Sequence, residues 1–147
     1  MKVADLARKA EDSLASAQLL LAKGYVNDAV DRAYYAMFNF ARAALLSCEY
    51  EVDVHKSHKG VINAFSHRLV KEGIVPQEFG SSLREAGNAC IMADYREDSI
   101  DSDVARDIVE QAQKFVTAMR EIVSRRNTEQ GHGEQGDDEQ ETDLPPM

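Results

Sequence analysis

Apolar side chains recur every three or four residues along most of the chain, which is the spacing of an amphipathic α-helix. The first such stretch begins at Val3 and ends at Gly24, because glycine commonly follows the last turn of a helix. The second stretch covers residues 28–47 and is apolar on most of its sides. A helix of that kind belongs in the middle of a bundle or in a dimer.

Three further helices follow in the pattern. Ser57 can cap a third helix that stops at Gly73, and Pro76 lies just before a fourth helix over about residues 78–95. A fifth helix starts after residue 101 or 102. Because the connections are short, neighbouring helices should run antiparallel. We therefore expect an all-α fold, an up-and-down bundle of about five helices in which the shorter third helix packs across four long ones.

The chain has 147 residues, enough for one domain with a single core, and a formal net charge of −9 that is unevenly distributed. Residues 127–147 hold seven acidic residues and no Lys or Arg, whereas residues 1–126 hold 19 acidic and 17 basic residues. The final segment is also nearly free of large apolar side chains, so it cannot bury enough surface to order itself. We expect a helical bundle at 1–126 and a disordered acidic tail at 127–147.

The expected location is the cytoplasm, without contact to a membrane. No window approaches about 18 uninterrupted apolar residues, and Asp5 and Glu11 interrupt the run that a signal peptide would need. Cys48 and Cys90 share no metal-ligand spacing and are expected to be reduced thiols.

Neither a metal nor a cofactor is expected from the motifs. His55 and His58 lie three residues apart, but no further ligands follow at a telling spacing. A di-iron bundle needs a Glu-x-x-His pair from each of two helices, and the one such spacing, Glu129 to His132, lies in the acidic final segment. The G-x-G-x-x-G spacing at residues 131–136 lies in the acidic final segment, outside the strand-to-helix context that a phosphate-binding loop needs, and no P-loop motif occurs.

One polar stripe crosses the second helix. Asp28, Arg32, Tyr35, Asn39 and Arg42 fall within an arc of roughly 80° when each residue advances by about 100°. Two arginines with a tyrosine and an asparagine between them could hold a phosphate or a nucleobase. The alternative is that the stripe is simply the solvent side, with an ion pair between the first two residues.

The fourth helix has a similar division. Arg84 and Asn88 lie on its polar face, whereas Cys90 lies on the apolar face and is expected to pack in the core rather than to act as a nucleophile. Three polar residues close this helix and could form an ionic cluster at the end of the bundle: Asp94, Tyr95 and Arg96. They could equally be a helix terminus that balances its charges.

Three segments resemble the HEPN domain proteins of a small bacterial and archaeal branch. These segments are DRAYYAMFNFARAALL on the second helix, HKGVINAFSHRLVKEGIVP from His58, and ADY at residues 93–95. They occur in the order and spacing of that branch, and the resemblance covers about residues 3–125. It implies a bundle of about five helices that forms a homodimer. It also implies a gene next to a minimal nucleotidyltransferase, the two proteins forming a toxin–antitoxin pair.

Many proteins of the resembled family are metal-independent RNases, and their signature is an Arg followed after four to six residues by a His at the end of the fourth helix. Here the arginine position falls on Cys90, and the histidine position falls near Asp94 and Tyr95. Arg126 and His132 match the spacing, but His132 lies in the acidic segment, so we treat that match as chance.

Two candidate functions follow from the resemblance and from the missing Arg and His of the RNase signature. The preferred one is a module that binds RNA or a nucleotide through Arg32, Tyr35, Asn39, Arg42, Arg84 and Asn88, and that pairs with a nucleotidyltransferase. The alternative is an active endoribonuclease with a rearranged site around Asp94, Tyr95 and Arg96. In some pairs of the family the nucleotidyltransferase adenylylates a tyrosine near the RNase motif, and Tyr95 is the matching candidate by position. The expected homodimer would use the apolar faces of the second and fourth helices.

Overall fold

A computed structural model describes residues 3–48, 57–95 and 99–142, with side chains as far as residue 126. Over these ranges the chain is all-helical, which confirms the predicted fold class. The helices are α1 (Val3–Ala22), α2 (Val26–Ser47), α3 (His58–Ala64) with a π-helical continuation (Phe65–Val70, the π segment), α4 (Gln77–Tyr95) and α5 (Ser102–Thr142). His55 and Arg96 lie outside the described residues.

Helix α2 lies at the centre of the bundle. It contacts α1, α3, the π segment, α4 and α5, and its large side chains Met37 and Phe40 are almost completely buried. Alanines at several other positions of α2 are also fully buried, so neighbouring helices approach it closely on more than one side. This agrees with the apolar pattern of the second helix, which predicted a central position.

The helix ends form where the sequence indicated. Gly24 and Gly73 both adopt the left-handed backbone conformation, with φ of +89° and +82°, which glycine tolerates without steric cost. Ser57 caps α3, because its side-chain oxygen accepts a hydrogen bond from the amide of Gly60 at 3.1 Å. Asp101 acts in the same way before α5, where its carboxylate accepts from the amide of Asp103 at 2.8 Å.

Two glycines allow α4 to lie close against the rest of the bundle. A Cβ atom at Gly87 would come within 3.3 Å of the Tyr34 ring on α2, and one at Gly80 would come within 3.2 Å of Val70 in the π segment. Such short contacts would force the neighbouring side chains to move. The close seating of α4 against α2 and α3 forms the walls of the cavity described below.

Helix α5 covers the other side of α2. Phe115 packs between Phe65 and Phe79, with ring centroids 5.4 and 5.9 Å apart, and Arg120 donates two hydrogen bonds of 2.7 and 2.8 Å to the Glu11 carboxylate on α1. The backbone of α5 continues to Thr142, beyond the boundary predicted after residue 126. The predicted disorder of residues 127–147 stays a prediction, because no side chain of that segment is described.

Among the helices within the described ranges, none is both long enough and apolar enough to cross a membrane.

Candidate functional site

A cavity of about 400 Å³ opens between α2, α3 and α4. Its walls carry two tyrosines and an imidazole, together with two cationic and two amide side chains: Tyr34, Tyr35, His58, Lys59, Arg84, Asn63 and Asn88. Cys90, Asp94 and two isoleucines complete the side chains of the lining. A larger depression of about 570 Å³ on α5 is lined by that helix alone, so it brings no groups together from different elements. We therefore take the cavity at α4 as the candidate site.

An aromatic cluster fixes the position of His58. Its imidazole stacks on the Phe38 ring with a centroid distance of 4.3 Å, and the Tyr35 ring stands edge-on to it at 5.7 Å. A hydrogen bond of 3.0 Å joins the Tyr34 hydroxyl and His58 Nδ1. One nitrogen of the imidazole is thus engaged by the protein, while the residue lines the cavity.

The charge states within this cluster follow from its burial. Burial, and then the positive charge of Arg42, lower the pKa of His58, so the neutral imidazole prevails at pH 7. Burial also raises the pKa of the Tyr34 hydroxyl, which therefore stays protonated. The pair can accept or donate hydrogen bonds to a ligand without carrying charge itself.

The polar stripe of α2 is divided between the cavity and its border. Tyr35 lines the cavity, and the guanidinium of Arg32 lies over its ring at 4.9 Å from the centroid. Arg42 lies over the Phe38 ring at 5.6 Å and donates a hydrogen bond of 3.3 Å to the Asn39 side chain. Both arginines therefore contact the aromatic rings of the cluster rather than the cavity itself.

The polar face of α4 supplies the opposite wall. Arg84 and Asn88 both line the cavity. The Arg84 guanidinium also lies 3.5 Å from the Ser66 hydroxyl, at the limit of a hydrogen bond. Of the six predicted binding residues, Tyr35, Arg84 and Asn88 therefore meet in one cavity, whereas the other three border it beside the aromatic cluster.

Cys90 is buried and contacts α2, which agrees with the packing role predicted for it. Its thiol donates a hydrogen bond of 3.1 Å to the Asp31 carboxylate, and burial together with Asp31 raises the pKa of the thiol to about 12. Burial also raises the pKa of Asp31, and the nearby negative charges of Asp94 and Asp28 act in the same direction. The thiol is thus protonated at neutral pH and unsuited to act as a nucleophile.

Three potential metal ligands meet beside this hydrogen bond. One ligand atom from each of Asp31, Cys90 and Asp94 lies within 4.8 Å of the others. Spacing along the chain could not reveal this group, since Asp31 lies on α2 and the other two lie on α4. Three protein ligands can hold a metal when a further ligand completes the shell. The expectation that the protein uses no metal stays a prediction.

The three candidate catalytic residues at the end of α4 do not share one environment. Asp94 lines the cavity, whereas Tyr95 is 84% exposed and is not part of the lining. Arg96 lies outside the described residues. The cavity thus gathers Cys90 and Asp94 from the region where the RNase signature would place its Arg and His.

Several residues in or beside the cavity were not among the predicted site residues, namely Asp31, Tyr34, His58 and Lys59. Tyr34 lies inside the apolar run of α2, where its pattern is typical of a core residue. The sequence presented His58 only as a possible metal ligand. Its contact with Tyr34 joins residues 24 positions apart, and no periodicity within one helix can report such a contact.

We predict that the pKa of His58, measured by NMR titration of the imidazole, lies below the ordinary 6.5. Because the unfolded chain binds this proton more readily than the folded one, the free energy of unfolding should fall as the pH drops below about 6.5. Arg42→Gln removes a neighbouring positive charge and should move the pKa of His58 upward. Arg106→Gln, at an exposed position of α5, is the control and should leave it unchanged. A pKa at or above 6.5 in the folded protein would contradict this prediction.

Sequence comparisons identify the family. Residues 3–122 match the HEPN domain. A Methanocaldococcus jannaschii protein named "Putative toxin" is 33% identical over 114 residues, which cover 78% of this chain and 83% of the relative. A UPF0332 protein of Gloeobacter violaceus is 38% identical over 91 residues, which cover 62% of this chain and 70% of the relative. A UPF0332 protein of Thermotoga maritima is 29% identical over 122 residues, which cover 79% of this chain and 86% of the relative. The fold, the three resembling segments and these relatives agree, and the chain belongs to the HEPN domain family.

Proposed function

We propose that this HEPN protein binds RNA or a nucleotide in the cavity between α2, α3 and α4. The observation that carries the proposal is the convergence of two cations with aromatic rings and amides in one cavity: Lys59, Arg84, Tyr35, Asn63 and Asn88. An arginine fork binds phosphate oxygens, an aromatic ring stacks on an unpaired base, and amides hydrogen-bond base edges. The volume of the cavity, about 400 Å³, lies within the range of small-ligand sites.

The residues at the positions of the RNase signature support binding of RNA rather than its cleavage. A fixed positive charge on the phosphate and a group that transfers protons are the chemical requirements of metal-free RNA cleavage. Cys90 supplies neither, because its buried thiol stays neutral. The overall charge of −9 does not oppose RNA binding, since residues 1–126 carry only two more acidic than basic residues.

The binding site can be tested through the affinity for a single-stranded RNA oligonucleotide, measured by fluorescence anisotropy. Arg84→Ala removes one charge-assisted contact to phosphate and should weaken binding by about tenfold. The slope of log affinity against log salt concentration should become shallower by about 0.7, the contribution of one phosphate contact on a single strand.

Arg106→Ala is the matched control, because this arginine is exposed on α5 and pairs with Asp103. Equal affinities of the Arg84 variant, the control and the unchanged protein would refute the proposed site. The same incubations, made in EDTA and followed on a gel, should leave the RNA intact. Cleavage that disappears in Asp94→Ala would support the endoribonuclease alternative instead.

We also propose that the protein pairs with a minimal nucleotidyltransferase in a toxin–antitoxin system. Two pieces of evidence support the pairing: relatives carry the name "Putative toxin", and the resembled branch is associated with such enzymes. Tyr95, the candidate for adenylylation, is 84% exposed at the end of α4, so another enzyme could reach its hydroxyl.

Mass spectrometry can test this pairing. When the protein is incubated with ATP and the nucleotidyltransferase encoded beside its gene, AMP should be found attached to Tyr95. Tyr95→Phe should abolish the modification, whereas Tyr25→Phe should not, although Tyr25 is also exposed, at 60%. Modification that persists in the Tyr95 variant would contradict the assignment, and the lack of such a neighbouring gene would favour a binding role without this enzyme.

A homodimer is the third part of the proposal. The apolar face of α2 is occupied inside the bundle, so it is not free to pair with a second copy. The large apolar side chains that α4 leaves exposed are Ile91 and Met92, close to Tyr95. The apolar face of α4 is likewise buried inside the bundle, for example at Leu83 and Ala93, so we place the proposed contact between copies on the exposed side chains Ile91 and Met92 instead.

Light scattering at micromolar concentration should give the mass of a dimer. Replacing Ile91 and Met92 together by Glu should give monomers, because two charges would then be buried in the contact. Leu19→Glu is the control, since Leu19 is 62% exposed on α1 and should not affect association. A monomeric mass for the unchanged protein would refute the dimer.

A further inference from the structure

The cavity differs in charge between its two ends. Along α4, Arg84 lies near one end and Asp94 near the other, ten residues later and therefore about 15 Å away along the helix axis. Asn88 and Ile91 line the stretch between them. A ligand that fills this stretch meets a cation at one end and a carboxylate at the other.

Two carboxylates lie at the negative end of the cavity. Asp31 and Asp94 lie close together there. Burial raises the pKa of Asp31, and the negative charges of Asp94 and Asp28 act in the same direction, whereas the Cys90 thiol and Arg32 lower it. Asp31 accepts a hydrogen bond from the Cys90 thiol. Asp94 belongs to the cavity lining and is exposed, so its carboxylate is available to a ligand.

An ionised carboxylate accepts hydrogen bonds and cannot donate them, so it selects ligand groups that present donors. Among the four bases, guanine presents two adjacent donors, N1–H and the N2 amino group, and can bind both oxygens of one carboxylate. Adenine and cytosine present one amino group next to an acceptor, and uracil presents one N–H between two carbonyls. The carboxylate end therefore suits the Watson–Crick edge of guanine best.

The rest of the cavity fits the remaining parts of a nucleotide. Tyr35 follows Asp31 on α2 by about one helical turn, so one aromatic ring of the lining lies near the carboxylate end, whereas Tyr34 is almost completely buried. Arg84, at the opposite end, can bind a phosphate through its fork. The order of groups along the cavity is thus carboxylate, aromatic surface and guanidinium, which corresponds to base edge, base face and phosphate.

From this order we infer that the cavity is specific for guanine, with Asp94 accepting hydrogen bonds from the base edge and Arg84 binding the phosphate. The inference rests on the proposed function, because it names the nucleotide that the same cavity would hold. It assigns Asp94 to base recognition, whereas the sequence placed this residue in a candidate catalytic cluster.

The test measures the affinity of the full-length protein for GMP, IMP, AMP, CMP and UMP by titration calorimetry. GMP should bind about tenfold more tightly than AMP or UMP, the discrimination expected of one bidentate contact to a base. IMP lacks the N2 amino group and should bind more weakly than GMP. Guanosine, which lacks the phosphate, should bind more weakly than GMP and should be insensitive to Arg84→Ala.

Asp94→Asn should remove the preference for GMP over AMP and raise the affinity for AMP, because the amide offers one acceptor and one NH2 donor, which match the amino group and the adjacent acceptor of adenine. Glu85→Gln on the same helix is the matched control, since Glu85 is exposed and does not line the cavity, and it should keep the preference. Circular dichroism checks that both variants remain folded.

The outcomes separate the two proposals. If all five nucleotides bind with similar affinity, or if Asp94→Asn keeps the preference for GMP, the guanine inference is wrong while the nucleotide-binding function stands. If neither the nucleotides nor the RNA oligonucleotide binds, both proposals are wrong.

Discussion

The structure depends on the burial of α2, which contacts every other helical element and carries the largest share of the buried side chains. A helix buried on so many sides leaves little room for polar groups, because each buried polar atom needs a partner. Asp31 meets this requirement through the Cys90 thiol, and Tyr34 meets it through His58. The polar edge of α2 is therefore tied to α3 and α4, and these contacts form the back wall of the cavity.

The need of each buried polar group for a partner also explains how a cysteine at position 90 affects the cavity. A neutral thiol can be buried against the Asp31 carboxylate without bringing a second charge into the bundle. Burial raises the pKa of Asp31, and the negative charges of Asp94 and Asp28 act in the same direction. The exposed Asp94 carboxylate lines the same end of the cavity. A thiol in place of a cationic group lacks the charge that a phosphate would need there, and the site is left with carboxylates that can accept hydrogen bonds. This arrangement supports base recognition over cleavage at the end of α4.

Much of the fold was predictable from local pattern. Gly24, Ser57 and Gly73 end or begin helices for reasons that act within a few residues, and the structure confirms each of them. The polar and apolar faces of α4 were also predictable, since helical period alone separates Arg84 and Asn88 from Cys90. The predicted binding set, by contrast, is divided in space. Half of it lines the cavity, and the other half lies at its border, where both arginines contact aromatic rings.

By itself, the sequence determined the all-helical fold class, the central place of α2 and the membership of the HEPN family, because these depend on periodicity, capping residues and contiguous motifs. The π-helical continuation of α3 was not among its predictions. Only the tertiary structure decided which groups share a cavity. The pairs Asp31–Cys90 and Tyr34–His58 join residues 59 and 24 positions apart, and their contact depends on how closely α3 and α4 approach α2. That approach is set by packing between helices, including the absence of a side chain at Gly87, and packing across the bundle leaves no periodic trace along the chain.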